Sequence, residues 1–291
     1  MGKTRQFNRI LLLLLLISIS YKSYSVDIIK IRSQPLYEDK REKHKAEVIR
    51  RSLEISASEY GPFIIKEVDT PFTSSRALAS LRTGGLINIF ITPANELWNK
   101  HAIPIEIPIR RGLLSYRLLL VHKDNLHKFK EISSLDELNK LTAGLQSDWV
   151  TTEVFSALGI KTMITHNFEG LFSMLNYLRF DYIPRGIYEI YDELDTRKSK
   201  LKNLVVEPSL ALHLPMASYI YVSPKEPRIA KRLESGLRKL VANGELKKIF
   251  NRYYADDITR ANLKGRKIIE IENPYYNNKD LMDDNSLWYM Y

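Results

Sequence analysis

Short apolar runs alternate with amphipathic helical patterns along most of this chain. Residues 26–31, 63–68, 86–91, 117–121 and 219–222 are rich in Ile, Val, Leu and Tyr and predict strands. From about 41 to 58, Ala46, Ile49, Leu53 and Ala57 recur at near-helical spacing. From 226 on, Ile229, Leu233, Leu237 and Val241 repeat every four residues until Asn243-Gly244, a helix-stop signal. Leu246, Ile249, Phe250 and Tyr253 then carry a further helical turn. The alternation predicts α/β layers around a largely parallel sheet. Two extended passages, Ile107-Pro108-Ile109-Arg110-Arg111-Gly112 and Leu214-Pro215-Met216, each lead into a strand. A lobe inserted within another lobe, joined by two crossovers, gives this pattern.

The opening segment differs from the rest. Lys3, Arg5 and Arg9 precede the apolar run 10–19, interrupted only by Ser18 and about half the ~20 residues a membrane-crossing helix needs. Ser23-Tyr24-Ser25 then offers small residues to a signal peptidase. The segment predicts a cleaved signal peptide, a mature chain from Val26 and a periplasmic location; a short membrane anchor is the alternative. Gln6 stands where a myristoylation signal needs Ser or Thr.

Composition narrows the function classes. The 291 residues include 44 Lys+Arg against 34 Asp+Glu, and removing residues 1–25 lowers the surplus from ten to six. Those charges are dispersed rather than gathered on a basic face, so no nucleic-acid partner is expected. The absence of cysteine excludes disulfides, thiolate metal sites and a thiol nucleophile. His44, His101, His122, His127, His166 and His213 are scattered, and no phosphate loop, nucleophile elbow or zinc-binding His pair is present. No cofactor or metal is expected.

Four stretches carry a resemblance. They are Ser75-Arg76-Ala77-Leu78-Ala79-Ser80-Leu81-Arg82-Thr83-Gly84; the segment 103–117; Leu171-Phe172-Ser173-Met174-Leu175 followed by Arg179-Phe180-Asp181-Tyr182-Ile183-Pro184-Arg185-Gly186; and Ile220-Tyr221-Val222-Ser223-Pro224-Lys225 with the helical run 237–254. In this order they resemble the family 3 bacterial extracellular solute-binding proteins, and Asn273-Pro274 with Trp288-Tyr289 are similar to the ending of one divergent branch. The resemblance implies an α/β, two-lobed type II periplasmic-binding-protein-like fold with two hinge crossovers. It divides the chain into a signal peptide (1–25), a discontinuous first lobe (26–114 and 216–291) and an inserted second lobe (115–215).

The same resemblance places Tyr37, Ser74, Arg76, Thr92, Gln146, Trp149 and Arg185 near the ligand. Family members hold a ligand carboxylate with an Arg after the strand that falls here at 86–91, yet 92–100 contains no Arg. Arg185 stands in or beside the place of the Asp that holds an amino group, which implies a preference for an anion. Each residue has a plainer reading: Ser74 as a helix cap, Arg76 as a solvated first-turn residue, Tyr37 as a loop closer. Trp149 reads equally as interlobe packing, and Arg185 as an ion pair with Glu189 or Asp181.

The function implied is a monomeric, non-enzymatic periplasmic protein that closes on a small polar or anionic, amino-acid-like solute and delivers it to a membrane permease. Two alternatives stand beside it: a ligand-sensing partner of a membrane sensor, and a cyclohexadienyl-dehydratase-like enzyme on the same fold.

Overall fold

The computed structural model describes residues 25–33, 39–70, 73–276 and 278–291. The expected signal peptide up to residue 24, and Tyr37, lie outside the described residues. Strand β1 (Asp27–Arg32) leads to helices α1 (Lys40–Ile55) and α2 (Ala57–Tyr60), then to β2 (Phe63–Val68), which pairs with β1 in parallel. Helix α1 starts where it does because the extended Asp39 accepts a hydrogen bond from the Arg41 amide at 2.8 Å. Helix α3 (Ser74–Thr83), β3 (Ile89–Pro93), α4 (Glu96–His101) and β4 (Ile103–Ile105) follow.

The first crossover then leads into β5 (Tyr116–His122). After it come α5 (Leu135–Leu138), β6 (Ala143–Gln146), α6 (Val150–Ala157), β7 (Thr162–Thr165), α7 (Phe168–Asn176) and β8 (Tyr182–Gly186). Helix α8 (Ile190–Asp195), β9 (Leu204–Val206) and β10 (Leu210–His213) complete this part. The second crossover gives β11 (Ser218–Val222), α9 (Pro227–Ala242), α10 (Glu245–Ala261), β12 (Lys267–Glu270) and α11 (Lys279–Asp283).

The protein is a two-lobed α/β molecule, as its sequence predicts. In the first lobe the β1-β2 pair lies beside a three-stranded sheet of order β3-β11-β4. Buried Asn88 bridges the two: its side chain accepts from the Lys30 amide at 2.7 Å and donates to the Ile28 carbonyl at 2.8 Å. That bridge delays β3, expected from 86, until Ile89. The second lobe holds a seven-stranded sheet of order β12-β10-β5-β8-β6-β7, with β9 also on β5. The β1-β2 pair is parallel, the three-stranded sheet is antiparallel and the seven-stranded sheet is mixed, so the whole is not largely parallel. The strands that follow the crossovers, β5 and β11, run against their neighbours because the chain re-enters each sheet from the hinge end.

The C-terminal segment departs from the expected division. The resemblance implies that residues 216–291 belong to the first lobe, but β12 pairs in parallel with β10 at the edge of the second-lobe sheet. Helix α10 serves both cores, with Leu246 and Ile249 packed in one and Phe250, Tyr254 and Ala261 in the other. The "further helical turn" is a full helix of 17 residues.

The crossovers lie side by side: the Leu214 amide donates to the Ser115 carbonyl at 2.8 Å, and the Met216 amide donates to Ser115 Oγ at 2.9 Å. The tail fastens both. Asn273 donates to the Pro215 carbonyl at 2.8 Å. Arg111 donates to the carbonyls of Asn285 at 2.6 Å and Trp288 at 3.1 Å, while the Tyr289 amide donates to the Arg111 carbonyl at 2.7 Å. Gly112, at φ 67°, lies flat beneath the Trp288 indole, and a Cβ there would sit 2.2 Å from the ring.

Candidate functional site

A cleft of about 770 Å³ opens between the lobes. The first lobe supplies Arg41 from α1, Ser74, Ser75 and Leu78 from α3, Thr92 from β3, and Leu97 with Trp98 from α4. The second lobe supplies Gln146, Trp149, Phe168, Arg185, Glu189 and Glu193. Leu114 and Met216, one from each crossover, also line it, and Arg117 at the start of β5 lies with them.

Local structure explains these placements. Thr73, not Ser74, caps α3, accepting from the Arg76 amide at 3.3 Å. Ser74 is left on the first turn facing the cleft, where its Oγ accepts from the Trp98 indole nitrogen at 3.2 Å. Trp149 occupies the cap position of α6, without a side-chain cap of its own. Gln146 ends β6, and its carbonyl accepts from Thr152 Oγ1 at 2.7 Å, which fixes the start of α6. Thus Ser74, Thr92, Gln146, Trp149 and Arg185 come together in one cleft. Arg76 does not: it is exposed on α3 and is not among the cleft-lining residues.

An ion-pair cluster forms one wall. Arg185 donates through Nε to Glu193 at 2.7 Å and through Nη2 at 2.5 Å, and lies 3.2 Å from Glu189. Its guanidinium stacks 4.2 Å from the Trp149 ring centre. Burial opposes the charge, but Glu189 and Glu193 hold Arg185 above its ordinary pKa. The geometry is that of an internal ion pair, with the fork expected to meet a ligand anion already closed on Glu193. Asp181, the other partner considered, pairs with Lys128 at 2.8 Å instead.

Arg41 reaches across from the first lobe, 3.5 Å from Glu193 and 3.7 Å from Glu189, and Lys40 lies 3.0 Å from Asp192. Burial alone would raise the Glu189 carboxyl; Arg185, Arg41 and Arg117 hold it below the ordinary carboxylate value.

Arg117 escaped the sequence reading. It is 3 % exposed, yet its Nε has no protein partner among the described residues and its Nη2 reaches only Met216 Sδ, at 3.5 Å. Burial pulls its pKa down to about 10, against the pull of Glu189 and with the push of Arg185. The available signal was a lone Arg opening the otherwise apolar strand Arg117-Leu118-Leu119-Leu120-Val121. Among the described residues, no group of three or more His, Asp or Glu side chains is arranged to hold a metal ion.

No protein-family model matches the chain. No curated protein matches it either. Solved structures do. An ancestral arginine-binding protein bound to glutamine aligns with TM-score 0.53 and 14% identity, over 80% of this chain and 99% of that one. An amino acid ABC transporter substrate-binding protein of Streptococcus pneumoniae, bound to L-arginine, gives 0.52 and 15%, over 74% and 84%. A histidine kinase sensor domain similar to periplasmic binding proteins gives 0.53 and 16%, over 80% and 97%. At these identities the likeness is one of fold: this chain has the two-lobed architecture of periplasmic amino-acid-binding proteins.

Proposed function

We propose that this protein binds a small polar or anionic, amino-acid-like solute between its lobes and closes on it for delivery to a membrane transporter. The observation that carries this reading is the interlobe cleft, walled by polar and aromatic side chains from both lobes and floored by both crossovers. Such a site offers both walls only when the lobes approach, so a ligand that touches both shifts the molecule toward the closed form. We propose Ser74, Thr92, Gln146 and Trp149 as ligand contacts; Tyr37 and Arg76 keep only the support of the family resemblance. The cleft carboxylates Glu189 and Glu193 are engaged by arginines, which supports a binding rather than a catalytic role.

The reading includes a monomer exported to the periplasm after cleavage near Val26. No helix among the described residues is long and apolar enough to cross a membrane. The lobes would be 26–114 with 216–291, and 115–215, with β12 transferred to the second. A thermal-shift screen of chain beginning at Val26 against amino acids, dicarboxylates, polyamines and small phosphates tests the binding role. A ligand at a hundred times its Kd should stabilise the fold by about 2.7 kcal/mol. Failure of every solute class would remove the reading.

A second reading, ligand sensing for a membrane-bound partner, draws on the likeness to a histidine kinase sensor domain. Co-purification of the ligand-loaded protein with a permease, or with a sensor kinase, separates the two.

A further inference from the structure

Three guanidinium groups line the cleft, and two are already answered by carboxylates. Arg185 holds Glu193 through two hydrogen bonds and lies against Glu189. Arg41 pairs with Asp39 at 2.8 Å and approaches Glu189 and Glu193. Glu189 in turn accepts from the Gly186 amide at 3.0 Å through Oε2, the oxygen that also faces Arg185, while Oε1 lies 3.7 Å from Arg41. Arg117 is the third, and no carboxylate of the described residues lies within ion-pair distance of it.

Glu189 acts on Arg117 only from beyond hydrogen-bond reach; a buried guanidinium whose donors lack good acceptors is costly, and proteins seldom keep one without a use. Met216 Sδ, a weak acceptor at 3.5 Å, does not satisfy a planar five-donor group. The side chain is tethered at the first residues of the second lobe's central strand, where Arg117 pairs with Gly186 on one side and Leu212 on the other. Its position is therefore fixed by the sheet rather than by a loop.

We propose that Arg117 anchors the bound solute by its carboxylate, and that the ligand is a small monocarboxylate with an uncharged or apolar body. The planar fork pairs both oxygens of one carboxylate, and Leu114 and Met216 beside it offer an apolar seat to the carbon skeleton. One free fork matches one carboxylate; Asp148, Glu153, Glu189 and Glu193 in the same lining leave no surplus of positive charge for a doubly charged phosphate. The anchor thus comes from the second lobe, which accounts for the lack of an Arg in the first-lobe segment 92–100. This rests on the solute-binding reading above.

The test compares unliganded and probe-loaded protein by thermal shift and calorimetry. The probes are acetate, propionate, butyrate and L-lactate, each beside its carboxamide, which removes the negative charge. The wild-type protein should be stabilised by at least one acid and not by its amide. Arg117→Met should bind that acid at least tenfold more weakly, and Arg117→Lys should fall between. Without probe, Arg117→Met should melt no lower than wild type, since it removes a buried guanidinium whose donors find no good acceptor. An unfolded or markedly less stable Arg117→Met would make Arg117 a structural group and overturn the proposal. So would equal binding of acid and amide, or undiminished binding by a folded Arg117→Met protein, and both leave the binding role of the cleft intact. Failure of these probes together with every other solute class removes the binding reading itself, and the anchor with it.

Discussion

Arg232 sits in the first lobe with no exposed surface, 2.7 Å from Asp27 and donating to the carbonyls of Leu53, Gly61 and Pro62. Removing one partner of a buried pair leaves the other uncompensated. Arg232→Met should therefore cost about 3–5 kcal/mol, read as a lower urea midpoint with the fold retained. A loss under ~1 kcal/mol would show that Arg228, 2.9 Å from Asp27, is sufficient alone. Glu189 makes a second residue-scale prediction. Its carboxyl is held below the ordinary 4.5, so its contribution to stability is complete above that pH and is lost as the pH falls through the lower folded value. Glu189→Gln should flatten the acid limb of the stability curve below about pH 4.5, measured by urea midpoints from pH 6 to pH 3. An unchanged acid limb would mean that other carboxylates carry it.

Helix α9 packs on α1 at Gly236, where a Cβ would lie 2.1 Å from the Ser52 carbonyl oxygen. Gly236→Ala gains helix propensity of ~1 kcal/mol but forces the helices apart, and overpacking of this kind typically costs about 1–3 kcal/mol. The expected net result is a lower melting temperature; a rise would show that the contact yields easily. This element was legible because Ile229, Leu233 and Leu237 mark one face, and its observed bounds fall within a residue or two of those read from the sequence. Strand β12 was not legible. Four residues, Lys267-Ile268-Ile269-Glu270, give too short a pattern, and their partner strand lies 57 residues upstream. The site divided in the same way. Gln146 and Trp149 could be placed because the family resemblance carries them to the ligand. Arg117 could not, because only the folded sheet shows that a charge at the end of a strand has been enclosed. Arg185 was found at the cleft, but its pairing with Glu193 depends on how α8 turns back against β8.

Across the whole molecule, the lobes touch through Lys40 with Asp192 and Arg41 with Glu189 and Glu193, all beside the cleft. These contacts favour approach of the two walls before any ligand enters. Salt screens partly exposed charges over ~10 Å at 0.1 M and ~3 Å at 1 M. The radius of gyration of unliganded protein should therefore increase between low salt and 1 M salt, as measured by small-angle scattering. A Lys40→Ala, Arg41→Ala double variant should show the larger radius already at low salt. Identical profiles for variant and wild type would assign lobe spacing to the apolar contacts of α10 alone.

The tail that fastens the crossovers also sets the order in which the molecule can be finished. Arg111 finds its carbonyl partners 174 and 177 residues further along the chain, and Asp27 finds Arg232 only after 205 residues. A growing chain emerges from its N-terminus, so neither lobe has all its walls while residues beyond 200 are still being made. A chain halted at residue 284 should hold both sheets yet leave Gly112 uncovered and the first crossover unfastened. The fastening of the first crossover thus depends on residues 285–289.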